Sequence, residues 1–297
     1  MRVFHQLPDQ TKGILLMVAA IFAFTLLDLS AKALGQRVGV IQTLWTRYAG
    51  QTLLVFLIIT PRIKTALHTN YPKLQLLRAL FMLGATSFFF TGLSKLGLAE
   101  ITAIMDISPV LITLGAALFL GERFGIRRAF GVLAALIGAL IIIRPGAGVV
   151  SVYALLPVAA AVCYSGFALT TRYVGDKETV WTSLFYSAAL GGVVFSLVLP
   201  FYWQTPDMVS ILLMIAVVAV STFPQFLLIH ALTLAEASVV APIGYLGLLF
   251  ATLWGILFFG DYPDGYTYLG ALVIVGAGLY VWHRENTKGK ADAKTRR

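Results

Sequence analysis

Four ionisable side chains fall inside long apolar stretches of this sequence: Asp28, Lys32, Arg47 and Asp106. A charge inside a bilayer costs roughly 2.5–3.5 kcal/mol on insertion scales, so each one needs a partner or a function. Two acids and two bases sum to zero, as a buried pairing network requires. We expect these side chains to line a cavity, bind polar groups of a solute and exchange partners as the cavity opens. A static lock between helices is the alternative interpretation.

Aromatic and amide side chains at comparable depths indicate the class of solute. Rings offer stacking faces, and phenol, indole and amide groups offer a few hydrogen bonds. A cavity lined by such groups, with little net charge, suits a flat, neutral or zwitterionic organic molecule. Aromatic residues also form belts at membrane interfaces and fill protein cores, which is the alternative for each of them. The residues are Trp45, Tyr48, Tyr164, Gln225 and Tyr245.

The composition around these residues is that of a membrane protein. Of the 297 residues, 59% are apolar and 12% are charged, which excludes a soluble globule. A spanning helix needs about 20 apolar residues, and apolar runs without alternation form helices because backbone groups in lipid must be paired internally. We predict an all-α membrane protein with ten transmembrane helices, at 13–34, 40–60, 75–96, 98–120, 127–144, 152–173, 180–201, 209–231, 236–260 and 265–283.

The positive charges predict the orientation of these helices. With the N-terminus inside, cytoplasmic segments hold sixteen Lys and Arg residues and outer segments hold four, so both termini are predicted to be cytoplasmic. At 1.5 Å per residue, Asp28, Arg47 and Asp106 then lie about 9, 10 and 12 Å from the outer side, a common level. Lys32 lies one turn from Asp28 on the same face. Arg78 falls at the cytoplasmic surface, where we expect it to reach water.

The two halves of the chain repeat each other. Residues 76–100 align without gaps to 212–236 and share a Leu-Ala-Glu triplet, and Gly121 corresponds to Gly260 at an offset of 139. Five spans per repeat force opposite orientations, which is the inverted-repeat plan of secondary transporters. The predicted segments are a cytoplasmic N-terminus at 1–12, five-helix repeats at 13–146 and 147–283, and a basic cytoplasmic tail at 284–297.

The spans, the duplication and one motif resemble the drug/metabolite transporter superfamily, EamA type. The motif runs from Pro109 through Leu120-Gly121-Glu122-Arg123 to Arg144-Pro145-Gly146. In the second half, Asp261 stands where that family usually has Glu, and Leu248 aligns with Pro109. The resemblance implies a central cavity bounded mainly by helices one to four and six to nine, with helices five and ten peripheral.

Three shorter stretches resemble one branch of that superfamily more particularly. They are Leu27-Asp28 with Lys32, the segment Trp45-Thr46-Arg47-Tyr48, and Ala241-Pro242 followed by 260–264. The branch includes bacterial riboflavin and S-adenosylmethionine uptake carriers. The resemblance implies a multi-pass transporter of the bacterial inner membrane that carries a small organic metabolite.

Other classes of function lack their motifs. No Walker loop, no Gly-x-Ser-x-Gly and no His-Glu-x-x-His occurs, and Cys163 is the only cysteine, so we predict no cofactor, no metal and no enzyme. An intramembrane enzyme is the main rival class, and an ion channel is disfavoured by the repeat. The formal net charge is +9, and six of the 22 Lys and Arg residues lie in the last fourteen residues, which indicates membrane topology rather than nucleic-acid binding. The predicted partners are a small-molecule substrate and the lipid bilayer, and the oligomeric state stays open.

Riboflavin uptake is the first hypothesis for the solute. Trp45, Tyr48 and Tyr245 would stack its ring system, while Arg47 and Gln225 would contact its carbonyls or ribityl hydroxyls. Uptake of cationic S-adenosylmethionine, which would favour the two acids, and export of amino acids or other metabolites are the alternatives. Transport is then facilitated or driven by a gradient, with Asp28 or Asp106 as a candidate proton carrier.

Overall fold

The computed structural model describes residues 7–63, 67–119, 126–143, 152–277 and 279–280. Within these ranges the regular secondary structure is entirely helical. Six helices are long and apolar enough to cross a membrane, and shorter apolar helices occur at Ile243–Phe259 and Gly265–Ala277. Large apolar side chains such as Leu57, Leu197 and Leu272 are exposed, as a surface facing lipid chains requires. The predicted all-α membrane fold is confirmed.

The first half begins with helix α1, Asp9–Ile59, which contains the first two predicted spans as segments 9–38 and 40–59. They meet at Gly39, whose φ of 79° and ψ of 166° are accessible almost only to glycine. A Cβ atom on Gly35 would lie 3.7 Å from the Thr43 hydroxyl, so the chain reverses here. The following helices are α2 (Pro72–Leu93), α3 (Leu98–Met105), α4 (Ser108–Phe119) and α5 (Ile126–Ile143).

The second half contains a further set of helices with capped starts. Thr179 Oγ1 accepts the backbone N–H of Thr182 at 3.0 Å, and Asp207 Oδ1 accepts that of Ser210 at 2.8 Å, which satisfies free donors at these helix starts. Hydrogen bonds from Ser210, with a smaller contribution from Arg37, hold the pKa of Asp207 below its usual value. The elements are α6 (Leu155–Val174), α7 (Val180–Val198), α8 (Met208–Leu234), α9 (Ala237–Val240), a 3₁₀ segment (Ala241–Tyr245), α10 (Leu246–Trp254), a π segment (Gly255–Phe259) and α11 (Gly265–Ala277).

Predicted helices four and nine are both interrupted near their centres. In the first half, Asp106 and Ile107 form a turn between α3 and α4, and the Asp106 N–H donates to Thr102 O at 2.9 Å. In the second half, the chain passes through the 3₁₀ segment that ends at Tyr245. The offset of 139 relates Asp106 to Tyr245, so the two interruptions correspond. Interrupted helices at matching positions of two repeats point to the binding site of a transporter.

Helices of one half pack against helices of the other. Helix α1 lies along α7 and α8, and α2 lies along α6 and α7. Helices α5 and α11 meet at Gly138 and Gly270, where a Cβ atom on either glycine would lie 2.8 Å or less from the backbone oxygen of the other. The two halves therefore form one helical body around a shared interior.

Candidate functional site

A central cavity lies among α1, α2, α3, α4, α6 and the segment around the second interruption. It encloses about 960 Å³ of atom-free space, its open mouth included. Four of the predicted site residues line it: Asp28, Arg47, Asp106 and Tyr164. Their neighbours in the wall are mainly apolar and aromatic, with hydroxyl groups between them, which is the usual composition of a small-molecule site.

Arg47 provides the positive charge of the central cavity. Its side chain is 3% exposed, and its guanidinium carbon lies 5.5 Å from the ring centroids of both Tyr48 and Phe90. Aromatic faces stabilise a cation at this distance. Arg47 also interacts electrostatically with Asp28, and its Nε has no hydrogen-bond partner among the described residues. Arg47 therefore lines the cavity with a guanidinium whose hydrogen-bonding capacity is not used up inside the protein.

Asp106 differs from Asp28 in its surroundings. It is buried at the interruption between α3 and α4, and its Oδ2 atom has no hydrogen-bond partner within the described part of the chain. The corresponding residue of the other half, Tyr245, is also buried with its hydroxyl unpaired there. The Tyr245 ring, however, packs with Ile104 and Ile107 and does not line the cavity. Asp106 is thus the polar group that the first interruption presents to the cavity.

The structure places Lys32 outside the group that the sequence predicted. Its ammonium forms an ion pair with Asp261 and donates to the carbonyl oxygen of Leu96 at 3.3 Å. The Asp261 carboxylate also accepts the backbone N–H of Leu98 at 3.2 Å. This pair joins the two halves, because Lys32 lies on α1 and Asp261 follows the π segment of the second half. Among the described residues, the cavity wall then holds two acids, Asp28 and Asp106, and one base, Arg47. Direct contact of Lys32 with a solute stays a prediction.

Trp45 and Gln225, which were also predicted to meet the solute, lie in contacts between helices. Trp45 Nε1 donates to Ser196 Oγ on α7 at 3.0 Å. Gln225 on α8 accepts from Gln51 Nε2 at 3.0 Å, and both side chains are buried. Neither residue lines the central cavity. Their observed contacts connect α1 to the second half.

Tyr48 likewise has a packing position. Its hydroxyl donates to the carbonyl oxygen of Met82 at 3.1 Å, and its ring stacks on Phe195 at a centroid distance of 5.8 Å. A Cβ atom on Gly191 would lie 2.3 Å from the Tyr48 ring, so glycine is needed for this fit. Tyr48 reaches the site only indirectly, as one of the two rings beside Arg47.

Charge alone does not identify several residues of the cavity wall, although their spacing along the helices is visible in the sequence. Ile21, Phe24 and Thr25 precede Asp28 at the intervals of one helix face, and Thr102 precedes Asp106 by one turn. Among the described residues the lining includes none from α5 or α11, as expected. It also includes none from α7 or α8, which we expected to contribute, because these helices pack behind α1.

A second, smaller pocket lies next to the central cavity. We call it the Lys32 pocket; it encloses about 370 Å³, its opening included, and is lined by Ala31, Lys32, Gly35, Gln36, Val40, Thr43, Phe90, Leu93 and Ser94. It lies at the end of the bundle that contains Gly39, which we call the Gly39 end. Further contacts between the halves occur at that end: Arg37 with Asp207 at 2.9 Å, and Gln42 with the backbone of Gln204 at 2.9 and 3.0 Å.

Comparison with known proteins assigns the family. The model of the EamA-like transporter family matches the chain twice, at residues 11–144 and 151–282. A riboflavin transporter from Rhizobium johnstonii is 30% identical, over 95% of this chain and 94% of its own length. A pseudopaline exporter, CntI, from Pseudomonas aeruginosa is 28% identical over 89% of this chain and 94% of its own. An S-adenosylmethionine uptake transporter from Rickettsia bellii is 27% identical over 87% and 89%.

A solved crystal structure supports the same fold. One of its chains superimposes with a TM-score of 0.67 at 19% identity, covering 90% of this chain and 95% of that chain. The two family matches account for the internal repeat, and the interrupted helices and central cavity supply the architecture of a carrier. The chain belongs to the EamA-like transporter family and is a multi-pass membrane protein that transports a metabolite.

Proposed function

We propose that this chain imports a flat organic metabolite, riboflavin in the first place, across the bacterial inner membrane. The observation that carries the proposal is the central cavity, where Arg47 lies among aromatic rings beside the interrupted helix at Asp106. The relative from Rhizobium johnstonii, matched over nearly its whole length, is named a riboflavin transporter. On this proposal the chain acts as a carrier without catalytic chemistry.

The cavity wall offers what riboflavin requires. Phe24, Phe89 and Phe90 present rings that can stack a planar tricyclic system. The Arg47 guanidinium can donate to a ring carbonyl, and threonine hydroxyls can bond the ribityl chain. These phenylalanines, rather than the Trp45, Tyr48 and Tyr245 expected from the sequence, would stack on the ring system of the solute.

S-adenosylmethionine uptake is the second candidate, favoured by one observation. With Lys32 paired to Asp261, the part of the cavity wall that the structure describes holds two acids, Asp28 and Asp106, against one base. This excess of acid suits a cationic solute. The Rickettsia bellii relative is named for that substrate. Export remains the alternative direction, since the Pseudomonas aeruginosa relative is named an exporter.

The proposed orientation places both termini in the cytoplasm and the Gly39 end outside the cell. The asymmetry of sixteen against four basic residues supports it. Segments 13–146 and 147–283 then act as the two oppositely oriented repeats, with the solute between them. The Lys32 pocket would face the external medium.

Growth of a riboflavin-auxotrophic bacterium on low external riboflavin tests the proposed import. We expect the chain to rescue growth, and Arg47→Ala to lower riboflavin uptake by about 10–100-fold, because a lost hydrogen bond from a charged group is worth about 1.5–3 kcal/mol. Arg37→Ala is the matched control: Arg37 is exposed and pairs with Asp207 away from the cavity, so rescue persists.

The same strain separates the candidates. Absence of rescue, with the protein confirmed in the membrane, contradicts riboflavin import. Saturable counterflow of S-adenosylmethionine in proteoliposomes, without counterflow of riboflavin, would then support the second candidate. Equal uptake by the Arg47→Ala and Arg37→Ala variants would contradict the assigned site.

A further inference from the structure

The central cavity and the Lys32 pocket follow one another along the same three helical segments. On the first segment of α1, Asp28 lines the cavity and Lys32, one turn further, lines the pocket. On the second segment, Arg47 lines the cavity and Thr43, one turn away, lines the pocket. Residues one turn apart share a helix face. The two spaces are therefore stacked in one direction, toward the Gly39 end.

Phe90 lines both spaces. On α2 the cavity wall includes Thr86 and Phe89, the pocket wall includes Leu93 and Ser94, and Phe90 belongs to both walls. Its side chain is 4% exposed, so it fills the gap between the two spaces. The Arg47 guanidinium, 5.5 Å from its ring centroid on the cavity side, holds the ring in this position.

We propose that the Lys32 pocket is the mouth of the transport pathway at the Gly39 end, and that the Phe90 ring is the barrier between this mouth and the central cavity. The inference rests on the proposed transport function. The pocket, at about 370 Å³, holds part of an organic solute. Its polar side chains, Lys32, Gln36, Thr43 and Ser94, suit a solute portion that carries carbonyl or hydroxyl groups. Displacement of one aromatic ring joins the two spaces.

Cysteine accessibility tests the barrier without any transported solute. The sole cysteine is removed as Cys163→Ser, and Ala85→Cys places a thiol on the cavity wall. A charged, membrane-impermeant methanethiosulfonate is applied to right-side-out and inside-out vesicles. In the same background, Gln36→Cys, at an exposed position of the Lys32 pocket, identifies the side on which the pocket opens.

We expect Phe90→Ala to accelerate labelling of Ala85→Cys from that side by about tenfold or more. With Phe90 present, the open state is a minor conformation, populated at roughly 0.1–10%, and removal of the ring makes the passage permanently open. Phe88→Ala is the matched control, because Phe88 is exposed on the outer face of α2 and lines neither the central cavity nor the Lys32 pocket, and it leaves the rate unchanged. Labelling from the opposite side is the same in all three proteins. Unchanged labelling in Phe90→Ala, or equal acceleration in Phe88→Ala, would overturn the proposal.

Two further measurements keep the result decisive. Phe90→Val replaces Phe90→Ala if the latter does not reach the membrane, and the Gln36→Cys labelling rate verifies an intact pocket in each variant. Where riboflavin import holds, Val40→Phe, at a position that lines the pocket and not the central cavity, fills the pocket and abolishes uptake; persistent uptake would exclude the pocket from the pathway. Failure of riboflavin rescue by the unmodified chain counts against the substrate alone, because the labelling result is independent of it.

Discussion

Arg78 is fully buried, although its position near the start of α2 predicted a side chain that reaches water. Its Nη2 donates to the backbone oxygen of Ser183 and, at 3.1 Å, to Ser187 Oγ. Within the described residues, its Nε and Nη1 have no hydrogen-bond partner. The Phe167 ring lies 5.6 Å away. A cation with so few acceptors depends strongly on each one, and it connects α2 to α6 and α7 away from the cavity.

Ser187→Ala tests this dependence. The change removes one acceptor of a buried guanidinium, so we expect a loss of about 1.5–3 kcal/mol in the free energy of unfolding. Thermal unfolding of the detergent-solubilised protein measures it. Ser30→Ala is the control, because Ser30 Oγ donates only to the carbonyl oxygen of Leu26 in its own helix. Equal melting temperatures for the two variants would contradict a supporting role of Ser187.

The contrast between Asp28 and Tyr48 explains which site residues could be predicted from the sequence. A charge in an apolar span is avoided unless it faces the interior, so residue type alone directed us to Asp28, Arg47 and Asp106. An aromatic residue packs equally well in a cavity wall or against a neighbouring helix. Helices that are apolar on every side show no periodicity that separates a cavity position from a packing position. The sequence therefore predicts Tyr48 in the cavity wall, whereas its ring packs on Phe195 of α7.

At the scale of elements, Gly39 determines how the first two spans join. Its φ of 79° and ψ of 166° are strained for any residue with a Cβ atom, so we expect Gly39→Ala to cost about 1–3 kcal/mol in the free energy of unfolding. The apparent melting temperature in detergent reports this cost. Gly35→Ala is the control, since its added Cβ atom would meet nothing closer than 3.7 Å. A control as unstable as Gly39→Ala would indicate general sensitivity of α1 instead.

Hydropathy located the spans but not their interruptions. Apolar length predicted helices four and nine as continuous, because Asp106 and Tyr245 lie within apolar runs long enough to cross the membrane. At the first interruption, the backbone N–H of Ile107 donates locally to Ile104 O at 3.2 Å, and Ser165 on α6 donates to Ser108 O at 3.3 Å. Such pairing of backbone groups depends on the folded bundle and cannot be read from hydropathy. Pro109 and Pro242 were visible signs of these interruptions, although a proline alone does not distinguish a bend from a break.

For the whole molecule, the Oδ2 atom of Asp106, which has no hydrogen-bond partner among the described residues, favours proton-coupled transport. Asp28 has Arg47 as a counter-charge, whereas Asp106 Oδ2 has no partner among the described residues. In proteoliposomes, we expect an acidic exterior to accelerate solute uptake and Asp106→Asn, which cannot carry a proton, to abolish that acceleration while counterflow continues.

Asp9→Asn serves as the control for this measurement, because Asp9 lies at the exposed start of α1. Solute uptake by the Asp9→Asn variant should respond to the proton gradient as uptake by the unmodified chain does. Uptake that is indifferent to pH and to protonophores would contradict proton coupling, and facilitated diffusion followed by metabolic trapping would then account for accumulation.

The contact between Gly138 and Gly270 also limits how this gene can change. Every single-base missense change in a glycine codon adds a Cβ atom, and at either position that atom would lie 2.8 Å or less from the backbone oxygen of the other glycine. A compensating mutation on the facing helix offers no relief, because the obstacle is backbone. The two repeats can diverge by gradual substitution over most of their length. Where these two helices cross, however, every single substitution of either glycine is expected to disturb the packing.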